Sequence, residues 1–108
     1  MPDVNSIKAK IYYEIAKKYL ELSILSSNMK EFNLEALNLY STAINLCPNN
    51  SLYYCHRAIL HSEMGDYHSV VADLNLAMLC PPQIDKHLQE YVKYIFTLLT
   101  KYIISFEY

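Results

Sequence analysis

The sequence of 108 residues contains no Trp and only one Gly. A single Gly excludes a glycine-rich phosphate-binding loop, and no Gly-x-Ser-x-Gly nucleophile motif occurs. One Gly and four Pro also leave few tight turns, which favours an all-helical chain. We therefore expect one small helical domain over residues 1–108, with none of these catalytic motifs.

Charged residues make up 19% of the chain, the formal net charge is -2, and no basic run occurs. This predicts no general affinity for nucleic acid or for an anionic membrane surface. The first ten residues lack the apolar core of a signal peptide. The longest apolar stretch, residues 92–106, is interrupted by Lys93 and Lys101 and is too short for a comfortable membrane span. We expect a cytoplasmic protein, with the nucleus as the alternative.

The three cysteines are Cys47, Cys55 and Cys80, an odd number without the spacing of a metal site. Reduced thiols are the natural interpretation. Cys55 and His56 are neighbours on one predicted helix and point about 100° apart, so they cannot share a ligand. No convergent set of titratable groups is found. The sequence therefore predicts no metal, no cofactor and no enzymatic activity.

Apolar spacing and turn residues predict five helices and no strands. The helices are expected at about 6–27, 33–46, 51–64, 68–79 and 84–105. Asn5 or Ser6 is the expected cap of the first helix, and Ser51 that of the third. Met29 and Lys30 are assigned to the first turn between helices. Gly65 marks the second such turn, because Gly ends a helix without a Cβ clash.

Two apolar stripes keep helical spacing in the first helical pair. On the first helix the stripe comprises Ile7, Ile11, Ile15, Tyr19, Leu22 and Leu25 or Ser26. On the second it comprises Leu34, Leu37, Tyr40 and Ile44. Of the eleven tyrosines, those expected to pack inside are Tyr12, Tyr19, Tyr40, Tyr54, Tyr67 and Tyr91. The remaining five, less clearly inside, are Tyr13, Tyr53, Tyr94, Tyr102 and Tyr108.

The chain also repeats itself at a spacing of 34 to 35 residues. Ala36, Tyr40, Ala43 and Pro48 recur 34 residues later as Val70, Leu74, Ala77 and Pro82. If the first inter-helix turn has one extra residue, Tyr19, Leu22, Ser23 and Phe32 correspond at a spacing of 35 to Tyr54, Arg57, Ala58 and Tyr67. A period near 34 is typical of a repeated helix-turn-helix unit.

Residues 35–82, EALNLYSTAINLCPNNSLYYCHRAILHSEMGDYHSVVADLNLAMLCPP, resemble the tetratricopeptide repeat (TPR) family. The resemblance lies in the order Ala, aromatic, Ala, Pro, followed by an aromatic, Arg-Ala, Gly-Asp-Tyr and a second Ala and Pro. It implies an all-α, TPR-like α-solenoid of antiparallel helix pairs. Repeat one would span about 16–48 and repeat two about 49–82, followed by a long C-terminal helix at about 84–105.

In this family the first helix of each unit lines a concave groove that holds a peptide. The alignment carries that role to Leu20, Ile24, Leu52, Cys55, His56, Ile59, Glu63, Lys86, Gln89 and Lys93, with Glu90 among them. His56 has two interpretations: a satisfied, partly buried histidine, or a donor to a groove ligand that makes binding sensitive to pH.

One TPR subclass clamps the acidic C-terminal peptide of heat-shock chaperones with Lys, Asn and Arg side chains. This chain offers Leu20, Ile24, His56, Lys86 and Glu90 at those places, and only Lys86 fits. Residues 53–73 resemble the TPR module of SGT-type co-chaperone adaptors. Those modules also depart from the clamp, and the resemblance implies roles in protein assembly and self-association.

The predicted C-terminal helix is apolar nearly all round, although a terminal repeat helix normally has a polar outer face. Side chains assigned to a partner or oligomer interface are Val92, Phe96, Leu99, Ile103, Ile104 and Phe106. A second copy of the chain, a different protein, or further helices of a longer protein would each cover them.

The sequence thus predicts a non-catalytic protein–protein interaction module. It is expected to act as an adaptor or assembly scaffold that binds a peptide segment and self-associates, as a dimer, through its C-terminal helix. Two alternatives stay open: recognition of acidic chaperone tails, and a purely structural oligomerisation unit with an empty groove.

Overall fold

A computed structural model of the chain describes residues 3–27 and 29–81. Within these residues the elements are four α-helices and no strands: α1 Val4–Leu25, α2 Met29–Leu46, α3 Ser51–Glu63 and α4 Tyr67–Leu79. The helices pack in chain order, α1 on α2, α2 on α3 and α3 on α4. Short turns make each pair, α1–α2 and α3–α4, an antiparallel hairpin. The expected all-α pairing is confirmed for two hairpins, and the predicted helix at 84–105 lies outside the described residues.

The helix starts differ from the predicted ones because other side chains provide the caps. Asp3, rather than Asn5 or Ser6, accepts the Ser6 amide at 2.7 Å and starts α1. Asn50, rather than Ser51, accepts the Leu52 amide at 3.0 Å and starts α3. An Asx side chain one residue before the helix satisfies amides that have no partner within it.

The first inter-helix turn was also misplaced. Met29 and Lys30, assigned to that turn, form the beginning of α2. No Pro or Gly lies between Met29 and Asn33 to prevent helix, and Glu31 in the first turn favours the positive end of the helix dipole. The turn is therefore short, and α2 has 18 residues.

The second turn agrees with the sequence prediction. Gly65 has a φ of +78°, a conformation that residues with a Cβ adopt at a cost. The amide of Asp66 donates to the carbonyl of His61 at 2.9 Å, which ends α3. The Asp66 side chain then accepts the Ser69 amide at 3.3 Å and starts α4, one residue before the predicted position.

The apolar stripe of α1 is not its buried face. Ile7, Ile11, Ile15 and Leu22 are between 41% and 54% exposed, whereas α1 buries Ala9, Tyr13, Ala16 and Ser23. The buried face of α2 is likewise rich in small residues, with Ala36 and Ala43 beside Tyr40 and Ile44, and Leu34 is exposed. Alanines let two helix backbones approach closely, and branched side chains at those positions would hold them apart.

The tyrosines divide differently from the prediction. Tyr13 and Tyr53, expected to be less clearly inside, are buried with Tyr40 and Tyr54. Tyr12, Tyr19 and Tyr67 are half-buried and pack against the core, as expected. Tyr54 donates its hydroxyl hydrogen bond to the carbonyl of Pro48 at 2.8 Å, which fastens α3 to the turn before it. The Tyr54 ring can be buried because its hydroxyl group has this partner.

Candidate protein-interaction face

The two hairpins are related by an offset of 42 residues in their first helices. Ala9, Tyr13 and Ala16 on α1 are buried, and so are Ser51, Cys55 and Ala58 on α3, which lie 42 residues further on. The second helices keep the offset of 34, since Ala36 and Val70 are both fully buried. The first hairpin is therefore eight residues longer than the second between equivalent points.

The extra residues divide evenly between the two helices. α1 continues nine residues beyond Ala16, whereas α3 continues five beyond Ala58. α2 begins seven residues before Ala36, whereas α4 begins three before Val70. Four residues on each helix add about one turn to each, so both buried faces stay in phase. The sequence alignment instead assumed one extra residue in the turn, which keeps the helices short.

At the spacing of 42, Cys55 and Ile59 align with Tyr13 and Lys17. At the spacing of 35, where Ala16 and Ser51 are also both buried, they align with Leu20 and Ile24, which stay predicted groove residues. Leu20 is half-buried and packs on the core, and the side chain of Ile24 is outside the described residues. The signal available in the sequence was the matched spacing of small residues, Ala9 and Ala16 against Ser51 and Ala58.

A cluster of aromatic side chains and His56 joins α1 to α3. The hydroxyl of Tyr13 shares a hydrogen bond with Nε2 of His56 at 3.0 Å, and the two rings meet edge to face at 5.0 Å. The Tyr13 ring also lies 4.9 Å from that of Tyr53 and 6.0 Å from that of Tyr40. These contacts fix His56 at the junction of the two hairpins.

His56 is held in its neutral form. Burial is the main cause, and the nearby positive charge of Lys17 adds to it, so the pKa of His56 falls from 6.5 to about 4 despite an opposing effect of Glu14. At neutral pH the imidazole therefore offers one donor and one acceptor and carries no charge. The structure thus supports a satisfied, partly buried histidine.

On α1, charged side chains of both signs lie around His56. Nζ of Lys17 lies 3.4 Å from Glu14 Oε2 and 4.9 Å from the centre of the Tyr13 ring. Lys10, one turn before Glu14, is exposed. We define the α1–α3 face as Lys10, Glu14, Lys17, His56, Ile59 and Glu63. It presents both signs of charge around a neutral, apolar centre.

The other predicted groove residues vary in accessibility. Leu52 and Ile59 are half-buried, and Glu63 is exposed. Cys55 is fully buried in the core, so its side chain offers nothing to a surface ligand. The predicted contributions of Lys86, Gln89, Glu90 and Lys93 lie outside the described residues, as do those of the interface residues from Val92 to Phe106.

An ion pair that sequence analysis missed fastens the second hairpin. Arg57 donates to both carboxylate oxygens of Asp73, at 2.8 and 2.6 Å, and to the hydroxyl of Ser41 on α2 at 3.2 Å. The Asp73 side chain is buried, and its hydrogen bonds raise the pKa of Arg57. This bidentate pair holds α3, α4 and α2 together, and single-sequence spacing offers no signal for it.

Reactive chemistry is not found at this face. Burial raises the pKa of the Cys55 thiol to about 11, so the nucleophilic thiolate is not populated at neutral pH. Among the described residues no group of three His, Cys, Asp or Glu side chains could hold a metal ion. Also within that part of the chain, no helix is long and apolar enough to cross a membrane.

Comparisons with known proteins agree with the repeat in the sequence. Residues 39–70 match the family described as tetratricopeptide repeat, so the predicted resemblance to that family is confirmed. The matched segment contains the C-terminal part of α2, all of α3 and the start of α4. It includes the Arg-Ala sequence at 57–58 and the Gly-Asp-Tyr sequence at 65–67.

Similar proteins carry the same repeat in their names. The chain is 43% identical over 49 residues to small glutamine-rich tetratricopeptide repeat-containing protein beta of Homo sapiens, and 38% identical over 53 residues to protein 2 of that name in Saccharomyces cerevisiae. These matches cover 44% and 49% of this chain but only 16% and 15% of the relatives. No solved structure matches.

Proposed function

We propose that this chain is a non-catalytic adaptor that binds a peptide segment of another protein along the α1–α3 face. The carrying observation is the TPR match at 39–70, which includes α3 and its half of the face. The Tyr13–His56 hydrogen bond gives this face a fixed shape before any ligand arrives. A preformed surface loses less conformational entropy on binding.

The composition of the face defines the peptide it suits. Lys10 and Lys17 attract carboxylates, Glu14 and Glu63 attract amines, and Ile59 contributes an apolar contact. His56, being neutral, favours an uncharged polar group. The fitting ligand is therefore a peptide with charges of both signs flanking small polar or apolar residues.

A displayed library of random peptides is the direct test. The full chain is used for selection, and enriched peptides are then measured by calorimetry against Lys17→Glu and Glu63→Lys. We expect each substitution to weaken binding about tenfold, because it reverses a charge beside the peptide. Glu35→Lys is the matched control, since Glu35 is exposed on α2 and outside the face. Equal binding by all four proteins, or no enriched peptide, would contradict the proposal.

Recognition of an acidic chaperone tail is the second candidate. The offset of 42 residues places Lys17, a cation, where the alignment had placed Ile24. The neutral His56 and the Glu14 that pairs with Lys17 oppose a clamp for a terminal carboxylate. We expect a peptide ending in two acidic residues to show no heat of binding, and affinity that is lost in Lys17→Glu would reverse this assignment.

Self-association through the C-terminal residues is a separate part of the proposal. Its support is the apolar sequence from Val92 to Phe106, since an apolar patch exposed on a protein surface normally marks an interface. Sedimentation equilibrium of the full chain is expected to show a dimer. A monomer at high micromolar concentration would remove this part, and a dimer that binds no peptide would favour the purely structural oligomerisation unit. We also propose a cytoplasmic or nuclear location.

A further inference from the structure

The α1–α3 face has a direction because its two helices run parallel. Arg57 reaches Ser41 inside α2 at 3.2 Å, whereas Tyr54, nearer the start of α3, reaches Pro48 beyond the end of α2 at 2.8 Å. α3 is therefore antiparallel to α2, as α1 is, and α1 and α3 run in the same direction. Both helices begin at one end of the face and end at the other.

The beginning of α3 lies beside the first half of α1. Lys10 on α1 lines a cleft that is also lined by Asn50, the residue before α3. Tyr13, about one turn further along α1, contacts Tyr53 and His56 in the first two turns of α3. Lys10 therefore lies at the end of the face where α3 begins.

Glu63 lies at the opposite end of the face, because it is the last residue of α3. Lys10 precedes Tyr13 by three residues, and Glu63 follows the middle of the Tyr53–His56 segment by about eight. With a rise of about 1.5 Å per residue, the two charged residues are separated by about 16 Å along the helix direction.

Lys10 and Glu63 give the two ends of the face opposite charges. The charges between them are compensated, since Nζ of Lys17 lies 3.4 Å from Glu14 Oε2 and His56 is neutral. Both end residues are exposed, and within the described part of the chain no ion pair is found for either. The face is therefore positive at one end and negative at the other, with a neutral centre.

We propose that the α1–α3 face selects an extended peptide with an acidic and a basic side chain about five residues apart, the acidic one at Lys10 and the basic one at Glu63. This inference rests on the proposed adaptor function and adds the spacing and the position of the ligand charges. An extended chain advances about 3.3 Å per residue, so about five residues span the distance between the two ends. The opposite placement would bring like charges together at both ends.

Peptides enriched by the full chain from a random library of twelve-residue peptides provide the probes. We expect most of them to share an acidic and a basic residue about five positions apart. Enriched peptides without this spacing, or with the spacing of about eleven positions that a helix would need, would overturn the inference and leave the adaptor function intact. A library without any enriched peptide would contradict the adaptor function itself.

Charge-reversal rescue then assigns each peptide charge to its partner. Calorimetry measures one enriched peptide against Lys10→Glu, for which we expect about a tenfold loss of affinity at low ionic strength, because like charges meet. Reversing the acidic residue of the peptide to Lys should restore most of this loss, whereas reversing its basic residue to Glu should not. Glu63→Lys should show the opposite dependence.

Lys30→Glu is the matched control for these variants, since Lys30 is exposed on α2 and lies outside the face. It should bind every peptide as the wild type does. If one peptide charge rescues both Lys10→Glu and Glu63→Lys, or if neither charge rescues either variant, the two ends do not recognise separate charges and the inference is overturned. The enriched peptides would still support the adaptor function.

Discussion

At the scale of single residues, the protonation state of His56 depends on side chains from another helix. Its pKa is low because α1 and α3 together bury it and because Lys17 lies nearby. The sequence offered a histidine on a helix and left two roles open. Only the contact with Tyr13, 43 positions earlier, favours the neutral and structural one.

The depressed pKa of His56 predicts a loss of stability in acid. Between pH 6.5 and about 4 the unfolded chain binds a proton that folded His56 excludes, so its contribution is complete above pH 6.5 and falls as the pH decreases. Over this range the free energy of unfolding of the wild type should fall by of order 2–3 kcal/mol more than that of His56→Gln. Urea denaturation at a series of pH values measures this difference.

His68→Gln provides the control for that experiment, because His68 is exposed on α4. It should follow the wild-type profile. His61, whose pKa burial also lowers, remains in both variants and contributes equally to each. Parallel pH profiles for the wild type and His56→Gln would show that His56 is not held neutral.

At the scale of helices and turns, the second turn was predictable and the first was not. Gly65 is the one Gly of the chain and stands where a left-handed residue ends α3. The Ser26–Lys30 region has several polar residues that are equally compatible with a turn or a helix start. The structure extends both helices into this region, and Ser23 and Asn33 are buried in the hairpin.

Gly65→Ala should destabilise the chain by about 1 kcal/mol. No atom lies within 4 Å of a Cβ built at Gly65, so the whole effect comes from the backbone conformation at φ +78°. Gly65→Asn should cost less, since Asn adopts left-handed conformations more readily. Urea unfolding of the three proteins tests this order, and an Ala variant as stable as the wild type would refute it.

At the scale of the whole molecule, the two hairpins meet through a small aromatic junction. Tyr13 from α1, Tyr40 from α2, and Tyr53 and His56 from α3 make most of it. The contact between α2 and α3 is much less extensive than the contact within either hairpin. Cooperative unfolding therefore depends on few side chains.

Tyr13→Ala should uncouple the hairpins. We expect a loss of about 3–5 kcal/mol, comparable to that of other buried aromatic residues, and a lower urea m value as α3–α4 unfolds separately. Hydrogen exchange should show α3 and α4 losing protection before α1 and α2. Tyr19→Ala is the matched control, because Tyr19 contacts Phe32 within the first hairpin. If both variants retain the wild-type m value, the aromatic junction does not couple the unfolding of the two hairpins.

The sequence by itself determined the helical class, the break at Pro48, the turn at Gly65 and the resemblance to the TPR family. These features depend on local backbone preferences and on a repeat spacing that survives in α2–α4. Tertiary structure alone decided which side of α1 is buried. Both sides are apolar, but only the side with Ala9, Tyr13 and Ala16 allows close approach to α2 and places Tyr13 against His56. The isoleucines, whose periodicity predicted the helix, remain on the surface because branched side chains would keep the backbones apart.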